Sequence, residues 1–159
     1  MDFDGVCHPA EVHATGPKHS PQIQLRAPGH RLFEHVDFIE GVLSNYPHVS
    51  IVLSSSWCLH YGLDYAKGRL APGLQSRVIG TTFDPENPNL WRMPRWSRYD
   101  QILSDVNRRH PRRWLALDDD AVGWPAAERH RLVLTPPELG IGCATARIEL
   151  AKRLSECFL

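Results

Sequence analysis

The chain has 159 residues, 42% of them hydrophobic and 23% charged, and its 18 basic and 18 acidic side chains leave a formal net charge of zero. A chain of this length supports one domain, residues 1–159, whose core buries roughly two-thirds of the unfolded surface without disulfide or metal staples. No apolar run reaches the ~18 residues of a membrane span, and zero net charge excludes a global attraction to nucleic acid or anionic lipid.

The opening Met1-Asp-Phe-Asp-Gly5 lacks the basic and apolar segments of a secretory signal, so the expected location is the cytoplasm. Residues 7 to 31 are rich in Pro, His and Gly and read as an irregular loop. Leu32, Val36, Ile39 and Leu43 then stand at helical spacing, predicting an amphipathic helix over 32 to 45 that Pro47 ends. His48 to Leu53 is a β-branched run, read as a buried strand leading into Ser54-Ser-Ser56. A short, glycine-interrupted helix is predicted over 59 to 75, and a short strand at Arg77-Val-Ile-Gly80. A Pro/Asn loop, Phe83 to Pro94, leads to a helix from about Ser97 to Arg109 with an Ile102, Leu103 and Val106 stripe. Trp114 to Leu117 reads as a strand ending in Asp118-Asp-Asp120, followed by a short helix near 125 to 130. A strand at Arg131 to Leu134 and a closing helix from about Ala144 to Glu156 complete the pattern.

Strands alternating with helices imply βαβ units and a parallel sheet, with ligands gathered at the carboxyl ends of the strands. Three clusters fall at that edge: Asp2-Phe-Asp4-Gly5, Ser54-Ser-Ser56 and Asp118-Asp119. Such a carboxylate edge suits a hard divalent cation such as magnesium, which prefers oxygen ligands. One carboxylate can then attack phosphorus while a second, two residues on, protonates the leaving oxygen. Gly5, just after them, permits the turn of the chain off the strand.

Asp2-Phe-Asp4-Gly-Val matches the first motif of the haloacid dehalogenase (HAD) superfamily, DxDG(V/T). Ile51-Val-Leu-Ser54-Ser-Ser-Trp57 resembles its second motif, and Leu117-Asp118-Asp119 its fourth. The order of these motifs, with Val78-Ile-Gly-Thr81, Arg98-Tyr-Asp-Gln-Ile102 and Leu139-Gly-Ile-Gly142, resembles the small capless HAD domains associated with bacterial RNA repair proteins. The resemblance runs over almost the whole chain. It implies a three-layer, Rossmann-like α/β fold with a central parallel sheet and no cap domain.

It also implies roles. Asp2 would be the nucleophile and a metal ligand, and Asp4 the general acid and base, its backbone carbonyl also touching the Mg2+. Ser54 would hold phosphoryl oxygens, with Ser55 as the competing candidate. Arg98 would offset phosphate and aspartate charge, with Arg95 and Lys67 as rivals. Asp119 is the preferred magnesium ligand of the acidic pair, with Asp118 beside it.

Two departures stand against this pattern. Related domains tend to carry Arg where this chain has Cys58, and only Met1 precedes Asp2 where a strand of about five apolar residues is the rule. The first strand is therefore expected to be truncated, with a start lying upstream as the preferred explanation.

The remaining features have plainer readings. Cys7, Cys58, Cys143 and Cys157 are scattered and expected to be free thiols. His8, His13, His19 and His30 are expected on the surface of their loop, and Trp57, Trp91, Trp96, Trp114 and Trp124 in packing rather than base stacking. Residues 92 to 113 hold Arg92, Arg95, Arg98, Arg108, Arg109, Arg112 and Arg113, read as a solvated face or, more sharply, a nucleic-acid contact. The leading expectation is a Mg2+-dependent phosphatase acting on a phosphorylated substrate such as a nucleic-acid end. The alternative is a catalytically inactive HAD-like module that binds a phosphorylated or protein partner.

Overall fold

A computed structural model of the chain describes residues 1–84, 86 and 96–159. The expected 83 to 94 loop falls mostly outside the described residues, as do Trp91, Arg92 and Arg95. The architecture is mixed α/β. In chain order it runs β1 (Val12–Thr15), β2 (Gln22–Leu25), α1 (Val36–Leu43), β3 (Ile51–Leu53), α2 (Ser56–Tyr61), α3 (Leu63–Lys67), α4 (Pro72–Gln75) and β4 (Val78–Thr81). Then come α5 (Arg98–Arg109), β5 (Ala116–Asp118), a 3-10 turn at Ala126–Arg131, β6 (Leu132–Leu134), a second at Gly140–Gly142, and α6 (Ala144–Phe158).

Two strand pairs are parallel, β3 with β4 and β5 with β6. Met1 and Asp2 join them. The Met1 amino group donates to the Val52 carbonyl at 2.9 Å, Ser54 N–H donates to Met1 O at 2.8 Å, and Asp2 N–H donates to Leu117 O at 3.0 Å. The order across the fold is thus β4, β3, Met1–Asp2, β5, β6. These two residues occupy the position of a central strand, and burial pushes the Met1 amino pKa down.

Successive side chains of a strand face opposite sides, and two apolar clusters follow from this. Leu117 and Val133 join the larger cluster with Phe3, Val6, Leu53, α1 and α6, through Ile39, Leu43, Leu150 and Leu154. Ala116 and Leu132, one residue earlier on each strand, join Ile102 of α5 and Trp124 in the smaller one. Trp57 and Trp124 are buried, as the packing reading expects.

The expected irregular loop of residues 7 to 31 is corrected in part, because β1 and β2 form an antiparallel ribbon in register from Val12 with Leu25 to Thr15 with Gln22. Its residues are mostly exposed, so the alternation that marks a half-buried strand is weak. The first helix starts at Val36 rather than Leu32, since Phe33 adopts a left-handed φ of 59° that no helix continues through. The predicted 59 to 75 helix is three short ones, broken at Gly62, whose φ is 91°.

Candidate active site

The first residues are held from two sides. Thr135, at the end of β6, donates its hydroxyl proton to the Gly5 carbonyl at 2.6 Å, and Ile141 N–H donates to Val6 O at 2.9 Å. Gly5 has a φ of 70°, and any side-chain carbon there would overlap the Asp119 carboxyl group. The glycine thus serves both the turn and the close approach of an acidic neighbour from β5's end.

Asp2, Asp118 and Asp119 converge, each offering a carboxylate oxygen within 4.8 Å of the others. Asp2 and Asp118 are buried. Arg98, the first residue of α5, lies between them, its Nη2 donating to Asp2 Oδ2 at 2.7 Å and its Nε 3.3 Å from Asp118 Oδ2. Asp2 Oδ1 accepts from Phe3 N–H at 2.7 Å, and Ser55 also hydrogen-bonds the Asp2 side chain.

One guanidinium cannot balance three carboxylates. Burial and the neighbouring acids push all three pKa values up, Asp118 to about 7 and Asp119 to about 6, against the pull of Arg98. Burial opposes the Arg98 charge, but the aspartates around it raise its pKa overall. Asp118 Oδ2 is buried and, among the described residues, is held by its ion pair with Arg98 Nε rather than by a hydrogen bond. An all-oxygen donor set with excess negative charge fits a hard divalent cation.

Asp4 sits apart from this trio, with its side chain 28% exposed. Its Oδ1 accepts from His8 Nε2 at 3.0 Å and from Trp57 Nε1 at 2.9 Å, with a longer Trp57 branch of 3.2 Å to Oδ2. The expectation that His8 lies on the surface is overturned, since it is 0% exposed. The signal available in the sequence was its position four residues after Asp4, masked by the Pro and His around it.

Of the serines, Ser55 stands against Asp2 and caps α2 by accepting from Trp57 N–H. Ser54 is buried, its hydroxyl accepting from Thr82 at 3.3 Å. Lys67 forms no ion pair with these acids among the described residues, and Arg95 lies outside them. Cys58 is buried beside Thr81.

The family model described as the HAD domain in Swiss Army Knife RNA repair proteins matches residues 1–146. The chain belongs to that family. No curated protein and no solved structure matches this HAD domain. No described helix is long and apolar enough to cross a membrane.

Proposed function

We propose that this HAD domain is a Mg2+-dependent phosphatase working through an aspartyl-phosphate on Asp2. The observation that carries this reading is the convergence of Asp2 with Asp118 and Asp119, more than a hundred residues along the chain, on one largely buried carboxylate site where Arg98 bridges Asp2 and Asp118.

HAD proteins generally use Mg2+. Asp2, Asp118 and Asp119, with the Asp4 carbonyl, would hold the ion, which supplies charge neutralisation for the phosphoryl group. An Asp2 oxygen bonds to phosphorus as the ester P–O bond breaks, and Asp4 gives its proton to the departing oxygen. A water then attacks phosphorus, returns a proton to Asp4, and frees phosphate and the Asp2 carboxylate. Arg98 positions the nucleophile and offsets charge, while Ser55 and Ser54 hold phosphoryl oxygens.

The two apolar clusters support a three-layer arrangement about a central parallel sheet. Only the short β1–β2 ribbon separates Asp4 from α1, which supports a capless, open site suited to a bulky ester. The family's occurrence in RNA repair proteins makes a nucleic-acid end the favoured substrate class. A phosphate-binding module without turnover is the second reading, favoured by buried Cys58 in place of a charge facing phosphate.

Hydrolysis of 4-nitrophenyl phosphate decides between them. Mg2+-dependent turnover is expected, abolished by chelation and by Asp2→Asn. Wild-type protein as inert as Asp2→Asn, with both binding phosphate, would establish the second reading instead.

A further inference from the structure

We propose that His8, together with Trp57, determines which oxygen of Asp4 carries the transferable proton and fixes the direction in which that proton is delivered. The inference rests on the reading of Asp4 as the general acid. Both ring nitrogens of His8 are committed. Phe33 N–H donates to His8 Nδ1 at 3.1 Å, so Nδ1 bears no hydrogen and the ring proton is on Nε2, which donates to Asp4 Oδ1 at 3.0 Å.

The second donor reaches the same oxygen, because Trp57 Nε1–H lies 2.9 Å from Oδ1 and 3.2 Å from Oδ2. In a protonated carboxyl group the carbonyl oxygen accepts two hydrogen bonds while the hydroxyl oxygen donates. Two N–H groups on Oδ1 make it the carbonyl oxygen, leaving Oδ2 as the hydroxyl. A half-turn of the carboxyl would place its O–H against two N–H donors, so the side chain is locked in one sense.

A separate observation supports this arrangement. Phe33 is a bulky residue at φ 59°, a left-handed conformation that side chains rarely adopt, and that turn aims its amide at His8. Its ring packs edge-on against His8 at 4.8 Å and Trp57 at 5.2 Å, so one strained residue orients both donors. His8 is a positioning residue, since it acts through Asp4. In the step it serves, Asp2 bonds to phosphorus, the ester bond's electron pair goes to the leaving oxygen, and the Oδ2 proton joins that oxygen to give an alcohol.

The test compares first-turnover release of an alcohol from an alkyl phosphate with release of 4-nitrophenol from its phosphate. An alkoxide needs the proton to depart, whereas nitrophenolate scarcely does. His8→Leu is expected to slow the alkyl ester about 100-fold and the nitrophenyl ester less than about 10-fold. His8→Gln, which places an N–H near the same point, should recover most of the loss, and Trp57→Phe should show the same ester bias in weaker form.

Equal losses on both esters, or a loss that glutamine leaves unrepaired, would overturn the proposal. If His8→Leu does not fold, the bias of Trp57→Phe decides by the same criterion. Asp4→Asn separates the two levels. If it slows both esters equally, the general-acid reading itself fails; if it shows the bias and His8→Leu does not, only the role of His8 is lost.

Discussion

Gly5 carries two constraints that a single methyl group would violate together. Its φ of 70° is costly for any L side chain, and the space where a Cβ would stand is filled by the Asp119 carboxyl. Gly5→Ala must therefore displace either the backbone after Asp4 or an acid of the proposed metal site. The expected loss is about 1–3 kcal/mol in unfolding free energy, accompanied by a smaller rise in Tm on adding Mg2+. Thermal melts with and without the ion check this. A variant that kept the wild-type Mg2+ response would show that Asp119 does not depend on Gly5 for its place.

Among the elements, α5 matters most because its first residue is Arg98. Ser97 caps it, accepting from Asp100 N–H at 3.2 Å while Asp100 Oδ2 accepts from Ser97 N–H at 2.9 Å. Ser97→Ala is expected to cost about 1 kcal/mol and to lower kcat as well, because fraying the first turn releases the guanidinium from Asp2. A stability loss without any kcat change, measured by denaturant melts and steady-state rates, would count against this link.

The same helix shows why some of the molecule was legible in the sequence. Its span and its Ile102, Leu103 and Val106 stripe are local signals; the structure agrees with the span to within a residue, and Ile102 and Val106 join the smaller apolar cluster while Leu103 does not. The first helix was overextended because Leu32 fits the spacing, while the demand that Phe33 point its amide at His8 comes from outside the segment. The acidic clusters were legible from motif order at strand ends. The serine register was not, because three identical side chains differ only in where the chain turns after β3. Nor was the burial of His8, whose neighbours in sequence are those of an exposed loop.

At the scale of the whole molecule, the site couples stability to pH. Asp118 rises from the ordinary 3.8 to about 7 and Asp119 from 3.8 to about 6, with burial the leading cause in each. The folded, metal-free chain thus keeps protons that the unfolded chain has already released. Stability from these groups is full below pH 3.8 and is lost as pH rises through about 6 to 7. Mg2+ bound at the proposed site would displace those same protons, so its affinity is expected to climb over that window and level off above it. The ion should raise Tm more at pH ~8 than at pH ~5.5, and an equal rise at both would remove these carboxylates from the ligand set.

Asp2 is also a mechanical tie. Its amide bonds to β5 while Met1 bonds to β3, so the two parallel strand pairs meet at the residue proposed to attack phosphorus. Heat that parts this seam withdraws the nucleophile in the same motion. Thermal inactivation should therefore coincide with deuterium uptake at the Asp2 and Ser54 amides, rather than precede it as for a catalytic group mounted on a loop.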